Sequence, residues 1–106
     1  MGPYPIIEVE FWIGEKERGA YVIGQDSERP TCIGVSDDLR SEIENVSQTA
    51  KGKWFEFYQS ISPFRLFEVQ CEWYHKYDSL RERGHPKPPS GTTQVKCPIE
   101  GCGYKL

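Results

Sequence analysis

Long apolar runs, a secretory leader and an excess of basic residues are all missing from this 106-residue chain. No stretch approaches the roughly 18 consecutive apolar residues of a membrane span, so the sequence predicts no role in a membrane. The first residues lack the basic start and apolar core of a secretory signal, which leads us to expect a cytoplasmic protein. In that reducing compartment the four cysteines are expected to serve as thiols or metal ligands, not as disulfides.

Basic charge is scarce over most of the chain. The formal net charge is -3, but residues 1–74 carry thirteen acidic and seven basic side chains, whereas residues 75–106 carry three acidic and six basic. Nucleic-acid affinity rests largely on Lys and Arg side chains that neutralise phosphates, so an acidic body argues against a broad phosphate-binding surface. Only the C-terminal part of the chain has the charge for that task.

Aromatic residues, in contrast, are plentiful, at 13% of a chain that is 37% hydrophobic. Their large, rigid side chains suit a small core, and a chain of this length can enclose one core. We therefore expect a single domain with a folded core at residues 1–82. Residues 83–106 are expected to form an irregular tail packed on that core, because their prolines leave little room for regular structure.

Four segments have the pattern of strands. Residues 7–13 alternate apolar and other side chains with a period of two, which predicts a strand with one buried face. Residues 20–23 and 31–35 are short apolar runs separated by a charged loop, and residues 54–61 form an aromatic run that is expected to be extended. The first three would make a small meander.

Two segments have the pattern of helices. Ser36 is placed to cap the first, and its predicted inner stripe consists of Leu39, Ile43 and Val46. Ser62 and Pro63 are a strong start for the second, which should run to about residue 80, because Pro fits the first helical position. The predicted fold class is therefore α+β, a small, mainly antiparallel sheet packed against two or more helices.

Two tripeptides on the second and third predicted strands resemble a known motif. Gly19-Ala20-Tyr21 and Cys32-Ile33-Gly34, followed by a helix, resemble the two motifs of the GIY-YIG nuclease family. The resemblance spans roughly residues 6–77, because the helix that begins at Pro63 occupies the place of the family's metal-binding helix. It implies a GIY-YIG-like sheet and phosphodiester hydrolysis, in which a tyrosine helps to activate water, an arginine stabilises charge and a glutamate holds a divalent cation such as Mg²⁺.

The residues that carry this chemistry are poorly matched. Tyr21 and Gly34 match their motifs, but Cys32 stands where the second tyrosine belongs. Glu42 occupies the expected position of the arginine, and Gln70 that of the glutamate. Losing one preorganised electrostatic contact of this type costs about 100-fold to 1000-fold in rate, so the resemblance implies a degenerate active site.

A shifted register leaves an active enzyme open. Arg40 is two residues from Glu42, and Glu68 or Glu72 would reach the metal position if the second helix were rotated. In the simplest alternative, Tyr21 and Gly34 are merely a strand residue and a turn glycine.

Five side chains are candidate ligands of a metal ion. Cys71 and His75 are four residues apart on one predicted helix, so they lie on the same face one turn apart. The other three are in the tail: His85, Cys97 and Cys102. Four of the five would satisfy a tetrahedral zinc ion, which would fix the tail to the core.

Each of these residues also has a simpler interpretation. Cys71 lies on an apolar face, where cysteine is often only a small core residue, and His75 is typical of a solvated helix position. Cys32 invites a nucleophile hypothesis, but no histidine is adjacent in sequence and nothing indicates a lowered pKa.

Three functions remain open. The first is a non-catalytic or weakly catalytic GIY-YIG-like module that binds nucleic acid or a protein partner, with candidate contacts at Tyr21, Gly34, Arg40, Gln70, Arg81, Arg83 and Lys87. The second is a small protein-binding regulator or inhibitor, whose acidic first helix would meet a basic partner. The third is an active, divalent-metal-dependent DNA endonuclease, with Tyr21 and Arg40 as its catalytic residues.

Overall fold

The sheet of this protein has four antiparallel strands in the order β1-β4-β2-β3. The computed structural model describes residues 2–26, 28–50, 52–86 and Cys97, although not the side chains of residues 50 and 81–83. The strands are β1 (Tyr4–Pro5), β2 (Gly19–Gly24), β3 (Cys32–Ser36) and β4 (Trp54–Gln59). With the helices that cover it, this sheet confirms the expected α+β class.

Strand β2 is the centre of the fold. All six of its residues are buried, because it pairs with β4 on one side and β3 on the other. Side chains alternate along a strand, so Tyr21 and Ile23 enter one core cluster, whereas Ala20 and Val22 enter a second one. The two clusters therefore lie on opposite faces of the sheet.

Helices cover both faces. One layer contains a 3-10 helix (Ile6–Glu8), α1 (Val9–Trp12) and α2 (Leu39–Ala50), which pack beside Tyr21 and Ile23. The other contains α3 (Pro63–Lys76) and a second 3-10 helix (Asp78–Arg83), which pack beside Ala20 and Val22. No helix in the described part of the chain is both long and apolar enough to span a membrane.

The prediction of a strand at residues 7–13 is wrong, because this segment is helical. Val9 and Ile13 are four residues apart, so a helix buries both of them, and their exposed fractions are 4% and 1%. Trp12 Nε1 also donates to Glu8 Oε1 across one turn, at 3.0 Å. The edge of β4 is instead occupied by β1, which ends at Pro5, where the chain enters the 3-10 helix.

The first long helix begins later than its predicted cap. Ser36 Oγ accepts a hydrogen bond from the N–H of Asp38, and Asp38 Oδ1 in turn accepts one from the N–H of Ser41. Asp38 therefore has the capping role expected of Ser36. The predicted inner stripe is confirmed, because Leu39 and Ile43 are fully buried and Val46 packs against them.

Helix α3 begins at the predicted residue. Ser62 Oγ accepts a hydrogen bond from the N–H of Arg65 at 3.3 Å, and Pro63 takes the first helical position. The helix ends at Lys76, short of the predicted residue 80, and the backbone is extended at Tyr77. The Tyr77 hydroxyl donates to Glu56 on β4 at 2.8 Å, a tertiary contact that local helix propensity does not contain.

We predict that Ser62→Ala lowers the free energy of unfolding by about 1 kcal/mol, because the N–H of Arg65 loses its acceptor. Urea denaturation followed by circular dichroism measures the change. Ser41→Ala is the matched control: Ser41 is exposed on α2, and alanine is the better helix former. Equal destabilisation by the two substitutions would contradict the capping role of Ser62.

Candidate metal centre

Helix α3 presents a thiol on a face that is separate from its contact with the sheet. Leu66, Val69 and Trp73 pack against the sheet, and Cys71 belongs to neither core cluster although its exposed fraction is 0%. His75 follows Cys71 by one helical turn, so the two side chains lie on the same face of α3.

The chain that follows α3 carries a histidine back to this face. Leu80 is fully buried in the cluster beneath α3, and the Ser79 hydroxyl donates to the carbonyl of Pro30 at 2.6 Å. These contacts anchor the second 3-10 helix. Gly84 then turns the chain with a φ of +83°, a conformation that L side chains rarely adopt. His85 and the buried Pro86 come next.

Three of the five predicted ligands lie together, and a fourth, His75, is close to one of them. The ligand atoms of Cys71, His85 and Cys97 are all within 4.8 Å of one another. His75 Nε2 lies 3.5 Å from Cys97 Sγ, and the rings of His75 and His85 are 5.5 Å apart. This group of side chains, Cys71, His75, His85 and Cys97, is called the Cys/His cluster below. Its members Cys71, His85 and Cys97 are close enough to one another to hold a metal ion.

Hydrogen bonding sets the tautomer of one of these histidines. His85 Nδ1 lies 2.8 Å from the carbonyl oxygen of Pro86, which can only accept a hydrogen bond. Nδ1 must therefore carry the proton, and in the neutral ring the lone pair is then on Nε2. A backbone carbonyl on one ring nitrogen is the usual way in which proteins orient a histidine ligand.

The structure does not fully describe the remaining predicted ligand or three of the predicted partner contacts. Cys102 and Lys87 lie outside the described residues. Arg81 and Arg83 belong to the second 3-10 helix, where only their backbone is described.

Tyr21, the tyrosine of the first GIY-YIG-like motif, lies on the face of the sheet opposite to α3. The exposed fraction of Tyr21 is only 5%, and its hydroxyl donates to Glu42 Oε2 at 3.2 Å. Burial, together with the Glu42 carboxylate, raises the pKa of Tyr21 well above its ordinary value. The neutral hydroxyl is therefore the stable form, and it is already engaged as a donor.

The glycine of the second motif is explained by packing. Gly34 pairs with Tyr21 across β2 and β3. A Cβ at Gly34 would lie 2.6 Å from Tyr21 Oη and 2.8 Å from Cζ. The ring thus lies directly over the glycine. Cys32 is on the same strand, half-buried, and packs against the cluster that contains Tyr21.

The other predicted nuclease residues do not converge on Tyr21. Arg40 donates to Glu15 at 3.0 Å. Gln70 is on α3, which packs against the face of the sheet opposite to Tyr21. Glu68 and Glu72 are on the same helix and lie beside Arg65. The sheet therefore separates Tyr21 and Glu42 from the α3 residues considered for a cation site.

Two supporting residues were not anticipated from the sequence. Gly84 provides the turn before His85, and the carbonyl of Pro86 orients the ring. The only local sign of them is the sequence Gly84-His85-Pro86, in which a permissive and a rigid residue flank a candidate ligand.

Comparison with family models, curated proteins and solved structures gave no match to this chain.

We predict that Gly34→Ala lowers the free energy of unfolding by about 1–3 kcal/mol, because the new methyl group displaces the buried Tyr21 ring. Urea denaturation measures the loss. Gly14→Ala is the matched control, since a Cβ there has no neighbour closer than 3.7 Å. If the two substitutions had the same effect, the contact between Gly34 and Tyr21 would not matter for stability.

Proposed function

We propose that this protein is a non-catalytic, GIY-YIG-like binding module in which one structural zinc ion holds the segment after α3 on the core. The observation that carries the proposal is the proximity of Cys71, His85 and Cys97, with His75 Nε2 3.5 Å from Cys97 Sγ; these side chains come from three separate parts of the chain. Two thiols and two imidazoles are the donor set of a Cys₂His₂ zinc site.

The distances suit zinc. In a tetrahedral site, sulfur lies about 2.3 Å and nitrogen about 2.0 Å from the ion, which puts such a pair roughly 3.5 Å apart. His75 Nε2 and Cys97 Sγ have this separation, at 3.5 Å. Mixed thiolate and imidazole ligands favour zinc over magnesium or calcium, which take oxygen ligands.

The charge balance also supports a structural ion. Two thiolates neutralise Zn²⁺, so the complex with two neutral imidazoles has no net charge to bury. Four protein ligands leave no open position for water or substrate, which is the arrangement of structural rather than catalytic zinc. Cys71 is wholly buried, so the ion would be shielded from solvent on the side of α3.

We base the proposed absence of catalysis on the surroundings of Tyr21. A nuclease tyrosine has to meet water and a phosphate, but this hydroxyl is buried and donates to Glu42. That carboxylate would repel the phosphate. The α3 carboxylates proposed for a cation lie across the sheet, so they do not supply a Mg²⁺ site beside Tyr21.

Nucleic acid is a candidate ligand for the segment that the zinc ion would hold. Residues 75–106 carry six basic and three acidic side chains, so phosphate contacts by Arg81, Arg83 and Lys87 are the favoured ones. Tyr21, Arg40 and Gln70 are less suited, because Tyr21 is buried and Arg40 is paired with Glu15. A protein partner is the alternative.

We predict that the purified protein contains one zinc ion per chain, and that Cys97→Ser or His75→Ala abolishes stoichiometric binding. Elemental analysis by mass spectrometry measures the content, and a chelator should lower the melting temperature of the wild type but not that of Cys97→Ser or His75→Ala. Cys32→Ser is the matched control, because Cys32 lies on the sheet outside the Cys/His cluster. With His75 as the fourth ligand, Cys102→Ser should also retain zinc. A wild-type protein without metal, or loss of zinc in Cys32→Ser, would contradict the proposed site.

We predict that neither the wild type nor Tyr21→Phe nicks supercoiled plasmid with Mg²⁺ or Mn²⁺, because Tyr21 is engaged with Glu42. Gel electrophoresis is the measurement. Nicking that disappears in Tyr21→Phe would show an active nuclease.

Titration of the protein with short DNA and RNA duplexes tests whether nucleic acid is its ligand. Binding that weakens with salt, and that is reduced in Arg81→Ala/Arg83→Ala but not in Arg29→Ala, supports nucleic acid. Arg29 is an exposed arginine outside the C-terminal segment. No binding at low ionic strength favours a protein partner.

A further inference from the structure

The short helical segment before the first turn is apolar on both of its sides. Val9 and Ile13 face the core, with exposed fractions of 4% and 1%. Ile7 and Phe11 face outward, with exposed fractions of 92% and 81%. A surface helix normally carries apolar residues only on its buried side, and a helix that is apolar all round is normally covered.

The exposed side is a patch and not two scattered residues. Ile7 and Phe11 are four positions apart in a continuous helical stretch, so their side chains are neighbours. Together they present on the order of 300 Å² of apolar surface, which is comparable to the largest patch on an ordinary monomer and is often functional.

The surroundings of this patch are acidic. Residues 2–15 contain three glutamates and no basic residue. Glu8 and Glu10 flank the patch in sequence, and α1 packs beside α2, whose first half contains Glu42 and Glu44. Two carboxylates of this layer are paired, Asp37 with Arg18 and Glu15 with Arg40. With these pairs included, residues 6–18 and 36–50 carry eight acidic and three basic side chains.

We infer that Ile7 and Phe11, with the carboxylates of Glu8 and Glu10, form a docking surface for a protein segment that carries apolar and basic side chains. Apolar residues of the partner would bury the patch, and its Lys or Arg side chains would meet the acidic border. The inference is independent of zinc, because α1 and the Cys/His cluster lie in opposite layers.

The charge selects this occupant over three others. A two-fold contact with a second copy would bring the same glutamates against each other. Anionic lipid surfaces attract basic segments, and this layer is negative. Nucleic acid is repelled for the same reason.

A short synthetic helical peptide of leucine and lysine is a suitable probe, measured by fluorescence anisotropy against the full chain. We predict binding that weakens with added salt, and at least about a tenfold loss of affinity in Ile7→Ser/Phe11→Ser, because two apolar contacts are removed. Ile61→Ser is the matched control, with an equally exposed apolar residue, at 88%, before α3. Circular dichroism should be unchanged in both variants, since none of these side chains is buried.

Each alternative outcome overturns the inference. Equal binding by the double variant and the wild type places the peptide elsewhere, and equal binding of a leucine and glutamate peptide removes the charge argument. Self-association of the wild type by analytical ultracentrifugation, lost in the double variant, assigns the surface to a second copy. Sedimentation with anionic vesicles, lost in the same variant, assigns it to a membrane.

Discussion

The alternating direction of the side chains along β2, the central strand, is the constraint on which the rest of this structure depends. Because successive side chains of β2 leave opposite faces of the sheet, Tyr21 and Ile23 share a core with α2, and Ala20 and Val22 share one with α3. The sheet then separates two chemically different layers. The buried Tyr21, with its hydrogen bond to Glu42, belongs to one, and the thiols and imidazoles belong to the other. Because the sheet lies between them, no choice of register along α3 would bring its side chains beside Tyr21.

The Cys/His cluster depends on contacts from outside its own helix. Cys71 and His75 are placed by helical geometry alone, but His85 reaches them only because Leu80 anchors the intervening 3-10 helix and Gly84 reverses the chain. The carbonyl of Pro86 then orients the ring. If a neutral zinc complex joins these groups, the ion replaces the apolar core that a proline-containing segment of this size would not form by itself.

Charge is distributed unevenly between the two ends of the chain. The α1 and α2 layer is acidic and bears two exposed apolar side chains, which together suit a basic protein segment. The C-terminal residues carry an excess of basic charge, which suits phosphates. If both proposed contacts form, the protein joins two partners through one small sheet, and neither contact requires catalysis by Tyr21.

The sequence correctly predicted the elements that a few neighbouring residues are enough to specify. The start of α3 at Ser62 and Pro63, the buried stripe of α2 and the strands around Tyr21 and Cys32 were predicted, because capping, periodicity and apolar runs act over a few residues. The pairing of Cys71 with His75 followed in the same way from helical spacing.

Tertiary structure decided the rest. Residues 7–13 alternate as a strand would, yet they are helical, since the edge of β4 is taken by β1 and the i, i+4 pair Val9 and Ile13 fills the core equally well. The sequence also could not place Gln70 relative to Tyr21, because the face that α3 covers is chosen by packing between distant segments. The sequence by itself therefore determined which side chains are available for metal binding and for partners, whereas only the packed sheet decided which of them meet.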